Sequence, residues 1–329
     1  MIMDKRFWRN KNVLITGYEG FLGSHLTKAL IAGGARVAGV DILTHRKETI
    51  LSAGDLRMIK VYQGSVADFA FMKKVMTNDN IEIIFHLAAK ALVNDCLKSP
   101  RECFSANIEG TWNILEAARG TPGVKALVVA SSDKAYGSHK KLPYKENAPL
   151  AGNHPYDVSK SCADLIAGAY YNTYGVPAAV TRCGNIYGPG DFNFSRVVPD
   201  AVRCAILGKT FNIRSDGKFT RDYIYVDDIV EGYLLLGQQL RIKRLAGEAF
   251  NFSDENPLTV IDLVKTIYRA CGTVPAYKIL GKARYEIKHQ YLSSGKARNV
   301  LKWEPRYSLN DGLKRTIEWY GKYLKVSGF

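Results

Sequence analysis

At 329 residues and 47% hydrophobic content, the chain can bury the core of one large α/β domain, or of such a domain with a smaller partner. No apolar stretch approaches the length of a membrane span, and the charged first residues run directly into a strand-like segment. We therefore expect a cytoplasmic protein without a signal peptide or membrane anchor. The net charge of +15 is spread along the chain without a basic tail, which favours a lysine-rich solvated surface over a nucleic-acid partner.

Strand-like and helix-like segments alternate through the first half of the chain. The strand-like runs are NVLITG, ARVAGVD, RMIKVYQG, IEIIFHLAA, KALVVASS and PAAVTRCGN. Helix-length amphipathic segments follow at 21–33, 68–78, 100–119 and 155–174, with a polar loop after ARVAGVD. Apolar strands that alternate with helices predict a parallel sheet covered on both faces, and hence an α/β fold of the doubly wound Rossmann type over residues 1–184.

The regular alternation weakens after residue 185. Short helices are predicted near 196–207, 227–239 and 258–271, with a final helix near 309–324. We expect residues 185–329 to form mainly a smaller substrate-binding lobe, while a strand near 248–252 returns to the main sheet.

A glycine-rich turn directly follows the first predicted strand. Gly17, Gly20 and Gly23 stand in a G-x-x-G-x-x-G spacing that opens a helix. Glycines let the backbone approach a pyrophosphate, which then lies against the unpaired N–H groups of the helix N-terminus. The next strand ends at Asp41, where a carboxylate binds the adenosine ribose and favours NAD over NADP. The alternative for Asp41 is a helix N-cap or an ordinary loop acid.

Two Tyr-x-x-x-Lys pairs are candidates for acid–base chemistry. Tyr156 and Lys160 stand at the start of a predicted helix, where residues four apart share a face. A lysine cation and a nicotinamide charge beside the phenol would lower its pKa towards neutrality, so that it can exchange a proton with an alcohol. The second pair, Tyr136 and Lys140, lies in a polar loop that nothing aligns, so we favour the first.

Ser132 follows the strand that ends near Val129, at the sheet edge where ligands bind in such folds. Its hydroxyl could hydrogen-bond a reacting sugar oxygen and complete a Ser/Tyr/Lys set. The alternative is an ordinary strand-ending turn.

The six cysteines are scattered and contain no Cys-x-x-Cys pair, so we expect reduced core thiols. The six histidines are equally dispersed, and we expect no metal site.

Taken together, the motifs resemble those of the extended short-chain dehydrogenases/reductases, the NAD-dependent epimerase/dehydratase family. The matching segments run in the family's order through nearly the whole chain: TGYEGFLGSHL, Asp41, HLAAKALV, SSDKAYG, PYDVSK, RCGNIYGPGD, RDYIYVDDIV and KARNVLKWEP. The resemblance implies that NAD is the cofactor and that it is held by Gly17, Gly20, Phe21, Leu22, Gly23, Asp41, Ser65, Val66, Leu87, Ala88, Ala89, Asn107, Tyr156 and Lys160. It further implies substrate diphosphate contacts from Asn185, Arg196 and Arg221, although Arg221 has an alternative as a surface ion pair with an aspartate.

Within the family, Ser132-Asp133-Lys134 resembles the Thr-Asp-Lys of CDP-glucose 4,6-dehydratases. The resemblance implies a catalytic set of Ser132, Asp133, Lys134, Tyr156 and Lys160, in which Asp133 protonates the hydroxyl on carbon 6 as it leaves. The base for carbon 5 stays open, since Lys134 would have to be neutral to act. TRDYIYVDD is closer to epimerases, so a nucleotide-sugar 4-epimerase or ketoreductase is the alternative, and a non-catalytic NAD-sensing regulator is a remote one. Related enzymes pair through the helices near 100–119 and 155–174, which implies a homodimer.

Overall fold

The computed structural model describes residues 4–283 and 286–326. Its strands, in chain order, are β1 (Asn12–Thr16), β2 (Arg36–Asp41), β3 (Lys60–Gln63), β4 (Ile83–His86), β5 (Ala126–Ala130), β6 (Ala178–Cys183), β7 (Asn185–Tyr187), β8 (Phe211–Ile213), β9 (Thr220–Arg221), β10 (Tyr223–Tyr225), β11 (Ala249–Phe252), β12 (Leu258–Thr259), β13 (Tyr277–Ile279) and β14 (His289–Gln290).

The α-helices cover both faces of the main sheet and form most of the second lobe. In chain order they are α1 (Lys5–Trp8), α2 (Phe21–Ala32), α3 (Ala53–Arg57), α4 (Phe69–Asn78), α5 (Val93–Lys98), α6 (Pro100–Phe104), α7 (Gly110–Arg119), α8 (Pro155–Tyr174), α9 (Val197–Ile206), α10 (Val226–Ile242), α11 (Val260–Ala270) and α12 (Leu309–Val326). No helix in the described ranges combines the length and the apolar character that a bilayer span requires.

Seven strands form one parallel sheet in the order β11-β6-β5-β4-β1-β2-β3. Their side chains are apolar on both faces, as Val13, Leu14 and Ile15 of β1 show by being fully buried. The strand order reverses at β1, and a crevice outside the carboxyl ends of the strands is where such sheets bind ligands. The predicted Rossmann-type fold is therefore confirmed, including the returning strand, since β11 pairs in parallel with β6.

The second half of the chain contributes more than a strand to the main sheet. Helix α10 packs on that sheet, where Tyr233 stacks near Phe85 of β4, with ring centroids 6.4 Å apart. A second lobe is built from α9, α11 and α12, the strand pairs β7–β10 and β8–β13, and the small sheet β12-β9-β14.

Helix α8 carries the favoured Tyr-x-x-x-Lys pair, and its bounds match the predicted helix. Pro155 occupies its first position, where a missing N–H costs nothing. Gly175 ends it with φ 67°, the left-handed conformation that a glycine adopts without a steric penalty.

The predicted helix over 100–119 is divided in three. A π-helical turn at Ser105–Glu109 separates α6 from α7, and α5 and α3 were not predicted. The Thr111 hydroxyl, in the first turn of α7, donates to the carbonyl of Asn107 in the π-helical turn at 2.6 Å. Sequence periodicity does not reveal such a turn.

Cys96 and Cys103 form a disulfide in the structure. The prediction of six reduced thiols is therefore wrong for this pair. The turn between α5 and α6 brings their Cα atoms to 5.1 Å, which is within the range that a disulfide spans. Cys162, Cys183, Cys204 and Cys271 are free.

Candidate active site

A cavity of about 1200 Å³ lies at the carboxyl edge of the main sheet. Its lining includes residues that follow six of the parallel strands, among them Gly17 after β1, Ala88 after β4, Ser132 after β5 and Asn185 after β6. The second lobe closes the other side with Arg196 and Arg221. Residues that are far apart in sequence therefore meet in one cleft.

The glycine turn packs too tightly for any side chain. Gly17 has φ +74°, and a Cβ there would lie 2.9 Å from the backbone nitrogen of Ala88. A Cβ on Gly23 would lie 2.0 Å from the Gly17 carbonyl oxygen. Gly20 is the N-cap of α2 and has no side chain to bond the first N–H groups of the helix. The turn thus presents free backbone donors to the cavity, which fits a pyrophosphate.

Asp41 ends β2 at the far side of this turn. Its carboxylate accepts a hydrogen bond from Arg46 at 2.6 Å, and burial raises its pKa although Arg46 acts in the opposite direction. Glu19, inside the glycine turn, accepts from the backbone N–H groups of His45 and Arg46 at 3.0 Å each. Sequence reasoning missed Glu19, which ties the loop after β2 to the phosphate-binding turn.

Most of the predicted cofactor residues line this one cavity. They are Gly17, Gly20, Phe21, Leu22, Gly23, Asp41, Ser65, Val66, Leu87, Ala88, Ala89, Tyr156 and Lys160. The exception is Asn107, which is 2% exposed and does not belong to the lining. Its side chain accepts from the Lys90 backbone at 2.7 Å and donates to Ser159 at 2.9 Å, so it fixes the loop after β4 against α8.

Tyr156 and Lys160 both line the cavity from the first turns of α8. Burial raises the pKa of Tyr156 to about 12, while a hydrogen bond with Ser132 opposes this shift. Burial lowers the pKa of Lys160 to about 8, and its ammonium donates to the Ala130 carbonyl at 2.8 Å. Desolvation therefore outweighs every charge that this chain places near the phenol, and the expected lowering of its pKa, which also involves the nicotinamide charge, stays a prediction.

Ser132, Asp133 and Lys134 form the turn after β5. The Ser132 hydroxyl donates to the Asp133 carboxylate at 3.0 Å, and burial raises the pKa of Asp133 against the opposing charge of Lys134. Lys134 Nζ donates to Gln290 Oε1 at 3.2 Å. The arrangement joins a phenol, a hydroxyl and a buried carboxyl group in one hydrogen-bonded row.

The rejected pair, Tyr136 and Lys140, has no place in the cavity. Tyr136 is fully buried, its hydroxyl donates to Asn251 at 2.7 Å and accepts from Arg182 at 2.7 Å. Glu146 is also structural, since it accepts from the Asn251 backbone at 2.9 Å. Tyr136 connects the turn after β5 to Asn251 of β11, and Glu146 bonds the same strand residue from the loop that precedes α8.

The three predicted diphosphate residues line the lobe side of the cavity. Asn185 donates to the Asp222 carbonyl at 3.2 Å, and Arg196 pairs with Asp191 at 3.1 Å. The Arg221 guanidinium donates to the carbonyls of Thr220, Ile287 and Lys288 and is 7% exposed. Its alternative as a surface ion pair is therefore wrong.

Several charged residues of the cavity were not predicted from the sequence. Among them, Arg214 lies on the lobe side, and Asp157 follows Tyr156 on α8. A signal for Asp157 is present in the sequence, because it stands inside the Tyr-x-x-x-Lys motif, but an acid in the first turn of a helix is also common for reasons of helix stability alone.

One cavity thus joins a dinucleotide cradle to a buried tyrosine–lysine pair, which is the arrangement of the extended short-chain dehydrogenases/reductases, with NAD as the cofactor. The glycine cradle, which any Cβ would fill, and the carboxylate at the end of β2 both fit a bound NAD.

Comparison with known proteins agrees with this class. The model of the NAD dependent epimerase/dehydratase family matches residues 13–251, and the chain belongs to that family. It is 30% identical to the CDP-glucose 4,6-dehydratase of Salmonella typhimurium over 98% of this chain and 94% of that protein.

Two solved structures carry the same fold over nearly their whole length. The dTDP-glucose 4,6-dehydratase of Bacillus anthracis in complex with NAD has a TM-score of 0.86 at 28% identity, and covers 96% of this chain and 98% of its own. The UDP-glucose 4-epimerase of Thermotoga maritima with UDP-glucose has a TM-score of 0.84 at 30% identity. The match covers 95% of this chain and 99% of that chain. The family therefore comprises both dehydratases and epimerases of nucleotide sugars.

Proposed function

We propose that the protein is a nucleotide-sugar 4,6-dehydratase that converts CDP-glucose to CDP-4-keto-6-deoxyglucose. The observation that carries the proposal is Asp133, a buried carboxyl group whose raised pKa favours its protonated form and which Ser132 links to Tyr156. Removal of the hydroxyl on carbon 6 needs such a proton donor, whereas epimerisation at carbon 4 does not. The Ser132-Asp133-Lys134 sequence and the likeness to a CDP-glucose enzyme support the nucleotide.

Different residues of the chain carry out the proton transfers and the binding steps around the sugar. Tyr156 takes the proton of the hydroxyl on carbon 4, and Lys160, held by the Ala130 carbonyl, lies one helical turn away to bind the nicotinamide ribose. When bound, NAD supplies a positive ring that favours the phenolate, takes the hydrogen of carbon 4 and returns it to carbon 6. Asp133 gives its proton to the departing hydroxyl of carbon 6.

The cationic side of the cavity suits the diphosphate. Arg196 is partly exposed, at 37%, and Asn185 offers its amide beside it, so both can reach a ligand in the cleft. Arg221 is occupied by three carbonyls, and it therefore contributes its charge to the diphosphate while it fixes the segment at 287–288.

A nucleotide-sugar 4-epimerase is the second candidate. The observation that favours it is the comparable likeness to UDP-glucose 4-epimerase, at 30% identity over 95% of the chain. In that reaction Tyr156, Lys160 and Ser132 suffice, and Asp133 has only a structural role.

Product mass separates the candidates. Purified protein is incubated with CDP-, dTDP- and UDP-glucose, and the products are weighed by mass spectrometry. A product lighter by one water supports dehydration, an unchanged mass with inverted carbon 4 supports epimerisation, and no turnover of any substrate supports an NAD-sensing regulator.

Substitution of the proposed acid tests its role. Asp133→Asn should abolish water loss while reduction of bound NAD stays detectable by absorbance, because oxidation at carbon 4 does not use this group. Glu304→Gln, an exposed carboxylate outside the cavity lining, is the matched control. Undiminished dehydration by Asp133→Asn would exclude Asp133 as the acid.

We further propose that the protein is a homodimer through α5 to α8. Apolar side chains are exposed along these helices: Leu97, Phe104, Trp112, Leu165, Tyr171 and Tyr174. Contiguous exposed apolar surface marks interaction sites. Light scattering should give a dimer for the wild type and a monomer for Trp112→Glu/Leu165→Glu. Ile242→Glu, at an equally exposed position on α10, should stay dimeric, and a monomeric wild type would contradict the proposal.

A further inference from the structure

A second buried carboxylate, Asp157, lies beside the tyrosine–lysine pair. It stands on the first turn of α8, is 4% exposed, and lines the cavity together with Tyr156 and Lys134. After Asp133, it is the carboxylate whose charge acts most strongly on Tyr156. Asp157 therefore shares the cavity with the tyrosine that we propose reacts with the sugar, and its charge acts on that tyrosine.

Asp157 has no ion-pair partner among the residues that the structure describes. Three other carboxylates of the cavity are paired: Asp41 with Arg46, Asp191 with Arg196, and Glu102 with Lys90. Within residues 4–283 and 286–326, the groups that act on the Asp157 carboxylate are charges, those of Lys134, His154 and Asp133, and none donates a hydrogen bond to it. A buried carboxylate without a donor costs free energy, and its oxygens are available to a ligand.

Lys134 lies between these carboxylates and the second lobe. Its Nζ donates to Gln290 Oε1 at 3.2 Å, and its charge lowers the pKa values of both Asp133 and Asp157. Lys134 therefore supplies a positive charge at this edge of the cavity, where an oxygen that becomes negative would be stabilised.

We propose that Asp157 is the base that takes the proton from carbon 5, and that Lys134 stabilises the negative charge that then develops on the carbon 4 oxygen. This inference rests on the proposed 4,6-dehydratase function. Burial raises the pKa of Asp157, which makes it a stronger base than an exposed aspartate. Asp133, which Ser132 bonds, keeps the role of the acid.

The proton balance closes with these residues. The bond between carbon 5 and hydrogen breaks, the proton passes to Asp157, and the electron pair forms the double bond to carbon 6 as that carbon loses water with the Asp133 proton. Asp157 exchanges the proton it has taken with solvent water, and return of hydrogen to carbon 6 is accompanied by transfer of a proton from Asp157 to carbon 5. Tyr156 is left with one proton more and Asp133 with one fewer, and Ser132, which bonds both, passes that proton between them.

The test compares Asp157→Asn with Lys134→Met, using substrate deuterated at carbon 5. In the wild type the label is lost to water and product forms. Asp157→Asn should still reduce bound NAD in a single turnover, retain the label, and form product at least about 100-fold more slowly, the usual contribution of a positioned base. Lys134→Met should slow product formation and still lose the label.

Controls keep the result decisive. Asp157→Glu, which retains a carboxylate, should recover part of the label loss, and Glu304→Gln should match the wild type. Label retention by Lys134→Met, whether or not Asp157→Asn folds, would overturn the inference, and so would wild-type rates for Asp157→Asn. A wild type that loses no water from any nucleotide sugar would instead overturn the proposed function, and the inference with it.

Discussion

The ammonium of Lys160 donates a hydrogen bond to the backbone carbonyl of Ala130 at 2.8 Å, and burial lowers its pKa from 10.5 to about 8. The folded protein therefore releases this proton at lower pH than the unfolded chain does. Stability rises with pH wherever the unfolded state binds more protons, so this group destabilises the fold below pH 8, and the penalty fades between pH 8 and 10.5.

We predict that Lys160→Met unfolds at higher urea than the wild type at pH 7. A shift of this size corresponds to about 3 kcal/mol, from which the lost hydrogen bond subtracts about 1 kcal/mol. The stability difference should shrink as pH rises towards 10, while activity is lost at every pH. A difference that does not depend on pH would show that Lys160 does not titrate in this window.

The two tyrosines that share the Tyr-x-x-x-Lys spacing should respond in opposite ways. Tyr156→Phe should lower kcat by at least about 100-fold, the contribution of an acid–base group, with little change in the free energy of unfolding. Tyr136→Phe should retain chemistry but lose about 1–3 kcal/mol of stability, because Arg182 and Asn251 lose a buried partner. Steady-state kinetics and urea unfolding of both variants distinguish the roles, and equal loss of kcat in both would contradict the assignment.

Two glycine-to-alanine changes provide a second matched pair. Gly23→Ala should abolish NAD binding and destabilise the protein, since its Cβ would overlap the Gly17 carbonyl oxygen. Gly321→Ala should stabilise it by roughly 0.5–1 kcal/mol, because Gly321 lies inside α12 with no atom near the added Cβ. Calorimetric titration with NAD and thermal unfolding provide the measurements. Normal NAD affinity in Gly23→Ala would argue against the glycine cradle as the pyrophosphate site.

The ion pair between Asp41 and Arg46 should set the choice of cofactor. Asp41→Asn removes the carboxylate that we expect to bind the ribose, and it frees Arg46 to meet a 2′-phosphate. We expect NAD affinity to fall by about 10- to 100-fold, because this range corresponds to the free energy of a hydrogen bond to a charged group. NADP affinity should rise. The gain for NADP should disappear in Asp41→Asn/Arg46→Gln, and persistence of that gain in the double variant would exclude Arg46 as its source.

The candidate site was predictable to the extent that its parts are local in sequence. The glycine turn between β1 and α2, the acid at the end of β2 and the Tyr156–Lys160 pair each depend on a few neighbouring residues, and they appear where the patterns put them. The contacts of Asn107 could not be predicted, because its partners, Lys90 and Ser159, lie 17 and 52 residues away. The position of a residue within a motif does not tell whether its side chain contacts the ligand or instead holds a neighbouring loop in place.

Sequence alone determined the order of strands and helices, the parallel sheet and the cofactor cradle, because hydrophobic periodicity and turn chemistry act over one or two turns of chain. Tertiary structure decided the rest: that Cys96 meets Cys103, that Tyr136 is a buried hydrogen-bond partner, and that Asp157 is a cavity residue without a donor. It also joined Lys134 to Gln290, 156 residues further on. Such contacts depend on which surfaces pack together. Burial, which raises the pKa values of Asp133, Tyr156 and Asp157 and lowers that of Lys160, exists only once they do.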